Sequence, residues 1–236
     1  VANRKNEVGA ATGLAWTSVG GTTLTIEVSL MKGKGEILLT GSLGDVMKES
    51  AGAAITCIRT RAGALGISPK FYEKCDIHIH APEGAVPKDG PSAGIAVTTA
   101  MLSALTDRKI KAGIAMTGEV TLRGRVLPIG GLREKSMAAY REGMKTVLIP
   151  KDNEPDLYDV DDEVKKNLTF LPMQSLTQVL NAALLKPQNA KKTKAPSRTH
   201  AKKKAADAAL FLLQKFSKRS SIRSKKNTTS SFTLRF

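Results

Sequence analysis

Residues 87–94 read Pro87-Lys88-Asp89-Gly90-Pro91-Ser92-Ala93-Gly94, a stiff turn that leads into a long apolar segment. Gly90 admits backbone angles that other residues avoid, and Pro91 fixes its own φ. Residues 93–105 carry no charge, so we expect a buried helix with Ser92 at or next to its N-cap. The free N–H groups and positive dipole there suit a serine whose reaction develops an oxyanion. The alternative is that Ser92 is an ordinary helix cap.

A second stretch places a lysine 43 residues after Ser92. Residues 132–142 predict a helix in which Lys135 shares a face with Leu132, Ala138 and Ala139. Apolar surroundings lower the pKa of a lysine, and only the neutral amine accepts a proton from serine. The alternative is a surface lysine whose methylene groups cover apolar neighbours.

These stretches, with others spread over residues 6–185, resemble the proteolytic domain of the Lon family of ATP-dependent bacterial proteases. Further matching segments are Gly13-Leu14-Ala15-Trp16-Thr17, Gly41-Ser42-Leu43-Gly44, Asp76-Ile77-His78-Ile79-His80, Met116-Thr117-Gly118-Glu119 and Leu127-Pro128-Ile129-Gly130-Gly131. The resemblance implies a compact α+β Lon-protease-domain fold with mixed sheets and flanking helices. It also implies a serine endopeptidase in which Ser92 is the nucleophile and Lys135 the base.

Two supporting residues come from the same resemblance. The matching threonine, Thr117, lies near the Ser–Lys pair in the family and helps to orient the lysine. The matching aspartate, Asp89, pairs with the lysine in a blocked arrangement of the loop, which would raise the lysine pKa. The alternatives are a β-branched strand residue for Thr117 and an Asx-turn residue for Asp89.

Three other side chains, His78, His80 and Trp16, are of types that take part in chemistry or binding. His78 and His80 point to one side of a predicted strand, a spacing that suits a metal ion or a serine–histidine triad. The family pattern contains both histidines without a metal, which favours a structural role. Trp16 is expected to pack or to line the substrate region. We therefore predict no metal and no cofactor in this domain.

The composition divides the 236-residue chain into three parts. Residues 1–185 hold 22 Lys and Arg against 20 Asp and Glu, whereas residues 186–236 hold 15 against one. We predict a linker remnant over 1–7, the proteolytic domain over 8–185, and a basic, disordered tail over 186–236. No signal peptide or run of 18 apolar residues occurs, and two cysteines make no disulfide framework. A cytoplasmic location without membrane contact is expected.

The spacing of apolar residues predicts irregularly alternating helices and strands. Residues 12–32 predict two strands joined at Gly20-Gly21, residues 43–65 a helix, and residues 114–122 one continuous strand. Residues 152–164 predict short helices, and 176–185 a closing helix. This order is typical of an α+β fold.

The chain contains no Gly-x-x-x-x-Gly-Lys-[Ser/Thr] motif, so ATP and Mg²⁺ are expected only for the full-length parent. The resemblance implies unfolded, damaged or degron-bearing proteins as substrates, and a homohexameric ring. Two rival hypotheses remain: a Lon-like assembly module that does not cleave, and nonspecific nucleic-acid binding through the basic tail.

Overall fold

The computed structural model describes residues 5–17, 20–82 and 89–187. The linker's first four residues, Pro87 and Lys88 of the opening stretch, and nearly all of the predicted tail lie outside these ranges. The predictions made for them are therefore untested.

The described residues form a seven-stranded mixed sheet and a separate two-stranded one. The strands are β1 (Ala10–Thr17), β2 (Gly20–Lys32), β3 (Ile37–Thr40), β4 (Cys75–His80), β5 (Ile114–Met116), β6 (Glu119–Val120), β7 (Val126–Leu127), β8 (Thr146–Pro150) and β9 (Thr169–Met173). The large sheet has the order β3-β4-β2-β1-β5-β8-β9, and β6 pairs with β7. Strands β1, β5, β8 and β9 run parallel, while β2 is antiparallel to both of its neighbours. The mixed sheet and its helices confirm the predicted α+β class.

Helices cover both faces of the large sheet. They are α1 (Asp45–Thr60), α2 (Gly94–Thr106), α3 (Leu132–Arg141), α4 (Asp162–Asn167) and α5 (Leu176–Ala183). Leu148 of β8 belongs to the core with α1, α2 and α5, whereas its neighbours Val147 and Ile149 belong to the core with α3 and α4. Because alternate residues of a strand point to opposite faces, the two cores lie on opposite sides of the sheet.

The uncharged segment after Ser92 forms the central helix of the first core. Ten consecutive residues of α2, from 94 to 103, are buried, as the lack of charge predicted. Cys57 is fully buried on α1. None of the helices in the described part of the chain is long and apolar enough to span a bilayer.

Two predicted elements differ from the structure. The single strand over 114–122 is wrong, because β5 ends at Met116 and β6 belongs to the other sheet. The Thr117 N–H still bonds to Leu148 of β8, whereas the Gly118 N–H bonds to the turn at Ser92. The helix predicted over 43–65 ends at Thr60, and hydrogen-bonded turns follow up to Gly66.

Candidate active site

Ser92 lies in a tight turn at the start of the buried helix. A single 3₁₀ turn, Pro91–Ala93, immediately precedes α2, and Ser92 is half-buried there. Gly90 has φ = 122°, a conformation that side-chain-bearing residues rarely adopt. The structure thus confirms a glycine-dependent turn with the serine next to the helix N-terminus.

The turn at Ser92 is tied to the residues that follow β5. The Ser92 carbonyl accepts hydrogen bonds from the Gly118 N–H at 2.8 Å and from the Thr117 hydroxyl at 3.3 Å. The Ile95 N–H donates to the Gly118 carbonyl at 3.0 Å. The Thr117 N–H still bonds to the Leu148 carbonyl of β8, so the bonds to Ser92 begin where the strand pairing ends and fix the start of α2 against the carboxyl end of β5.

Lys135 is a buried lysine on the first turns of α3. Its side chain lies on the apolar face with Leu132, Ala138 and Ala139, as predicted, and the residue is only 3% exposed. Loss of hydration lowers the pKa of Lys135 from 10.5 to about 8. None of the ion pairs formed within the described residues involves it. About a tenth of this amine is therefore neutral at pH 7, far more than for a lysine of ordinary pKa.

Ser92 and Lys135 line one cleft of about 520 Å³, although they come from opposite layers of the fold. The other residues of its lining are Ala15, Trp16, Asp89, Pro91, Pro128, Ile129, Gly130 and Gly131. Trp16 lies near the carboxyl end of β1, three residues beyond Gly13, which pairs with Met116 at the end of β5, so the cleft opens at the carboxyl edge of the parallel strands. Ligands of open α/β sheets bind at such an edge.

Asp89 reaches this cleft, but its carboxylate bonds to α1. The carboxylate oxygen Oδ1 accepts the Met47 N–H at 3.0 Å and the Gly90 N–H at 2.9 Å. The N-cap of α1, Gly44, has no side chain to satisfy the helix N-terminus, and a Cβ there would lie 2.4 Å from Asp89 Cγ. In this arrangement Asp89 caps α1 in place of Gly44 and forms no ion pair with Lys135.

The hydroxyl of Thr117 donates to Ser92, and no hydrogen bond joins Thr117 to Lys135 within the described residues. The fully buried Thr117 is therefore next to the serine turn, while its predicted action on Lys135 stays a prediction.

The two histidines lie apart from the cleft lining. His78 Nε2 and His80 Nδ1 lie 2.9 Å and 2.7 Å from the Thr40 hydroxyl oxygen, across the β3–β4 pair. The described residues contain no cluster of three His, Cys, Asp or Glu side chains that would hold a metal ion. The geometry gives both histidines a hydrogen-bonding role between strands.

Sequence reasoning missed two residues that position this cleft. Gly21 of β2 lies against α3, where an added Cβ would lie 1.9 Å from the Glu134 carbonyl oxygen. Asn153, which follows β8, bonds to the backbone of Ile129 in the cleft wall. The only sequence sign of either role is position, a glycine at a strand start and an asparagine just after a strand.

The whole folded region matches one family model. The model of the Lon protease (S16) C-terminal proteolytic domain matches residues 1–186. The chain belongs to this family. The chain is also 59% identical over 186 residues to a Lon protease of Brevibacillus choshinensis, and 58% identical over 183 residues to that of Escherichia coli K12. The Lon protease of Vibrio parahaemolyticus is 60% identical over 183 residues.

These matches cover 78–79% of this chain but only 23–24% of the relatives. The chain therefore spans about a quarter of the length of the Lon proteases it matches. The match shows the family of this domain, and the activity of the complete relatives is inferred for it.

Proposed function

We propose that this domain is a serine-type endopeptidase that hydrolyses peptide bonds through a Ser92–Lys135 dyad. The observation that carries the proposal is the buried amine of Lys135, which lines the same cleft as Ser92 and has a pKa of about 8. A lysine of ordinary pKa would be protonated and unable to act as a base.

In the proposed reaction, Ser92 Oγ attacks the scissile carbonyl carbon while neutral Lys135 takes the hydroxyl proton. Collapse of the tetrahedral intermediate breaks the C–N bond, and Lys135 returns the proton to the leaving amine. Water, deprotonated by the same lysine, then hydrolyses the acyl-enzyme and frees Ser92. Backbone N–H groups near the start of α2 would stabilise the oxyanion, since the positive end of the helix dipole lies there.

The complete relatives carry the name Lon protease, and the wider setting of this domain is inferred from them. We place this chain in the cytoplasm, acting on unfolded, damaged or degron-bearing proteins within a homohexameric ring. ATP and Mg²⁺ would bind outside this domain, since the sequence holds no P-loop motif.

The direct test is cleavage of a small fluorogenic peptide and of unfolded casein, without ATP, by the wild type, Ser92→Ala and Lys135→Ala. Activity that is present in the wild type and lost in both variants supports the dyad. Cleavage that survives Ser92→Ala would contradict it. Absence of cleavage by all three proteins would favour the Lon-like assembly module that does not cleave.

A second candidate function rests on the net charge of +14 in residues 186–236. Such a basic segment binds phosphates without sequence preference, and its affinity falls steeply with salt. Removing these residues should abolish DNA binding while peptide cleavage remains. Unchanged DNA affinity and salt dependence after the deletion would rule out the tail as the binding segment.

A further inference from the structure

Residues 128–131 form one wall of the cleft, and one buried side chain holds their backbone at Ile129. Residues 128–131 belong to no helix or strand, yet they line the cleft between β7 and α3. The Ile129 N–H donates to Asn153 Oδ1 at 2.9 Å, and the Ile129 carbonyl accepts from Asn153 Nδ2 at 2.8 Å. Asn153 thus satisfies both backbone groups, as a neighbouring strand would.

Asn153 is itself held firmly. The residue is only 4% exposed, and Nδ2 also donates to Asp156 Oδ2 at 2.6 Å. Both amide protons and the carbonyl oxygen are therefore used, so the side chain cannot rotate without breaking three hydrogen bonds. A buried amide with every proton bonded specifies one arrangement of its neighbours.

The position of Asn153 relates it to the proposed reaction. Asn153 ends the 3₁₀ turn, Lys151–Asn153, that follows β8 at the carboxyl edge where the cleft opens. Two residues beyond Ile129 lies Gly131, the N-cap of α3, whose carbonyl accepts the Lys135 N–H at 3.0 Å. Residues 128–131, which Asn153 holds, are therefore directly followed in the chain by the helix that carries Lys135.

We infer that Asn153 is a positioning residue for substrate binding, an assignment that rests on the proposed peptidase function. Asn153 holds residues 128–131 in the arrangement that forms one side of the peptide site. Without it, the N–H and carbonyl of Ile129 lose their partners, and the wall takes other arrangements to satisfy them. The apparent affinity for a peptide is then the intrinsic affinity multiplied by the fraction of molecules in which residues 128–131 keep this arrangement.

The test compares Asn153→Ala with Asp156→Ala as the matched control. Both changes remove a bond of the same amide group, but only the first removes the bonds to Ile129. For Asn153→Ala we expect KM of the fluorogenic peptide to rise about tenfold while kcat changes about twofold or less. Asp156→Ala should keep KM near the wild-type value.

Trp16 supplies a second measurement that needs no catalysis. It is the chain's only tryptophan, is 57% exposed and lies against the wall, where a Cβ on Gly131 would be 2.9 Å from Trp16 Cγ. Acrylamide quenching of its fluorescence should change in Asn153→Ala and stay constant in Asp156→Ala. If wild type proves inactive, the proposed function fails, but the quenching still tests whether Asn153 holds the wall.

A lowered melting temperature with unchanged KM and unchanged quenching would overturn the inference, because Asn153 would then be merely structural. If Asn153→Ala does not fold, the double variant Asn153→Asp with Asp156→Asn replaces it. That variant keeps an acceptor for the Ile129 N–H and exchanges donor and acceptor with residue 156, but it places a carboxylate oxygen where Nδ2 donated to the Ile129 carbonyl. It should also raise KM and alter the quenching, because the Ile129 carbonyl loses its donor, and wild-type values for both would contradict the assignment.

Discussion

The carboxylate of Asp89 caps the N-terminus of α1, since Asp89 Oδ1 accepts the Met47 N–H at 3.0 Å across 42 residues of sequence. The same oxygen accepts the N–H of Gly90, so one side chain joins the turn before Ser92 to α1. Among the described residues no carboxylate forms an ion pair with Lys135, which fits the proposed role of Lys135 as a base.

Removing the cap should destabilise the domain. We expect Asp89→Ala to lower the free energy of unfolding by about 1 kcal/mol, the usual cost of a lost N-cap, and to lower peptidase activity because the serine turn loosens. Asp89→Asn keeps the acceptor oxygen and should stay close to the wild type. Urea unfolding measures the free energy of unfolding of both variants. Asp45→Ala is the control, since it removes an exposed first-turn carboxylate of the same helix and its pair with Lys48 but leaves the cap in place.

The pH midpoint of activity distinguishes this capping arrangement from the blocked arrangement inferred from the family, in which Asp89 pairs with Lys135. If Asp89 acts only as a cap, Asp89→Asn leaves the pH midpoint of activity unchanged. If Asp89 instead pairs with Lys135 in solution, its neutralisation lowers the lysine pKa, and the midpoint moves to lower pH. A downward shift would therefore contradict the arrangement seen here.

Replacing the buried amine should stabilise the fold while abolishing activity. The lysine titrates near 10.5 when unfolded and at about 8 when folded, so Lys135→Met should add about 3 kcal/mol at most below pH 8. The gain should shrink as pH rises from 8 to 10.5, because the unfolded wild type then loses its proton as well. Calorimetric melting at several pH values measures it, with the exposed Lys145→Met as control. A variant less stable than the wild type at pH 7 would be inconsistent with costly burial.

Gly21 of β2 is expected to position Lys135, because α3 packs directly against the backbone of this glycine. An added methyl group would press on the Glu134 carbonyl at 1.9 Å and push α3 away. We expect Gly21→Ala to cost about 1–3 kcal/mol of stability, and the misplaced base to lower kcat/KM by about 10². Gly52→Ala, at an open position of α1, should instead stabilise by about 1 kcal/mol. Equal activity of the two variants would contradict a positioning role.

Those features that depend on neighbours in sequence were predictable. The helix after Ser92 follows from a glycine–proline turn and thirteen uncharged residues. Apolar residues one turn away on either side put Lys135 on the apolar face of its helix but left a surface position open. The family resemblance then joined the two as a pair. The capping by Asp89 and the hold of Asn153 on Ile129 were not predictable, since their partners are 42 and 24 residues away.

The break after β5 was missed for a related reason. Thr117 and Gly118 continue an apolar strand pattern, so their sequence predicts further pairing. In the structure the Thr117 N–H still bonds to β8, but the Thr117 hydroxyl and the Gly118 N–H bond to Ser92. A contact between distant segments overrides the local preference, and no periodicity in one segment reports it.

The central claim is that neutral Lys135 is the base for Ser92, and the pH dependence of kcat/KM for a small peptide tests it most directly. Because the pKa of Lys135 is about 8, activity should rise with pH, pass its midpoint near that value, and level off above it. The profile should be the same without ATP. Activity that stays flat between about pH 6 and pH 10 would contradict a titrating lysine base.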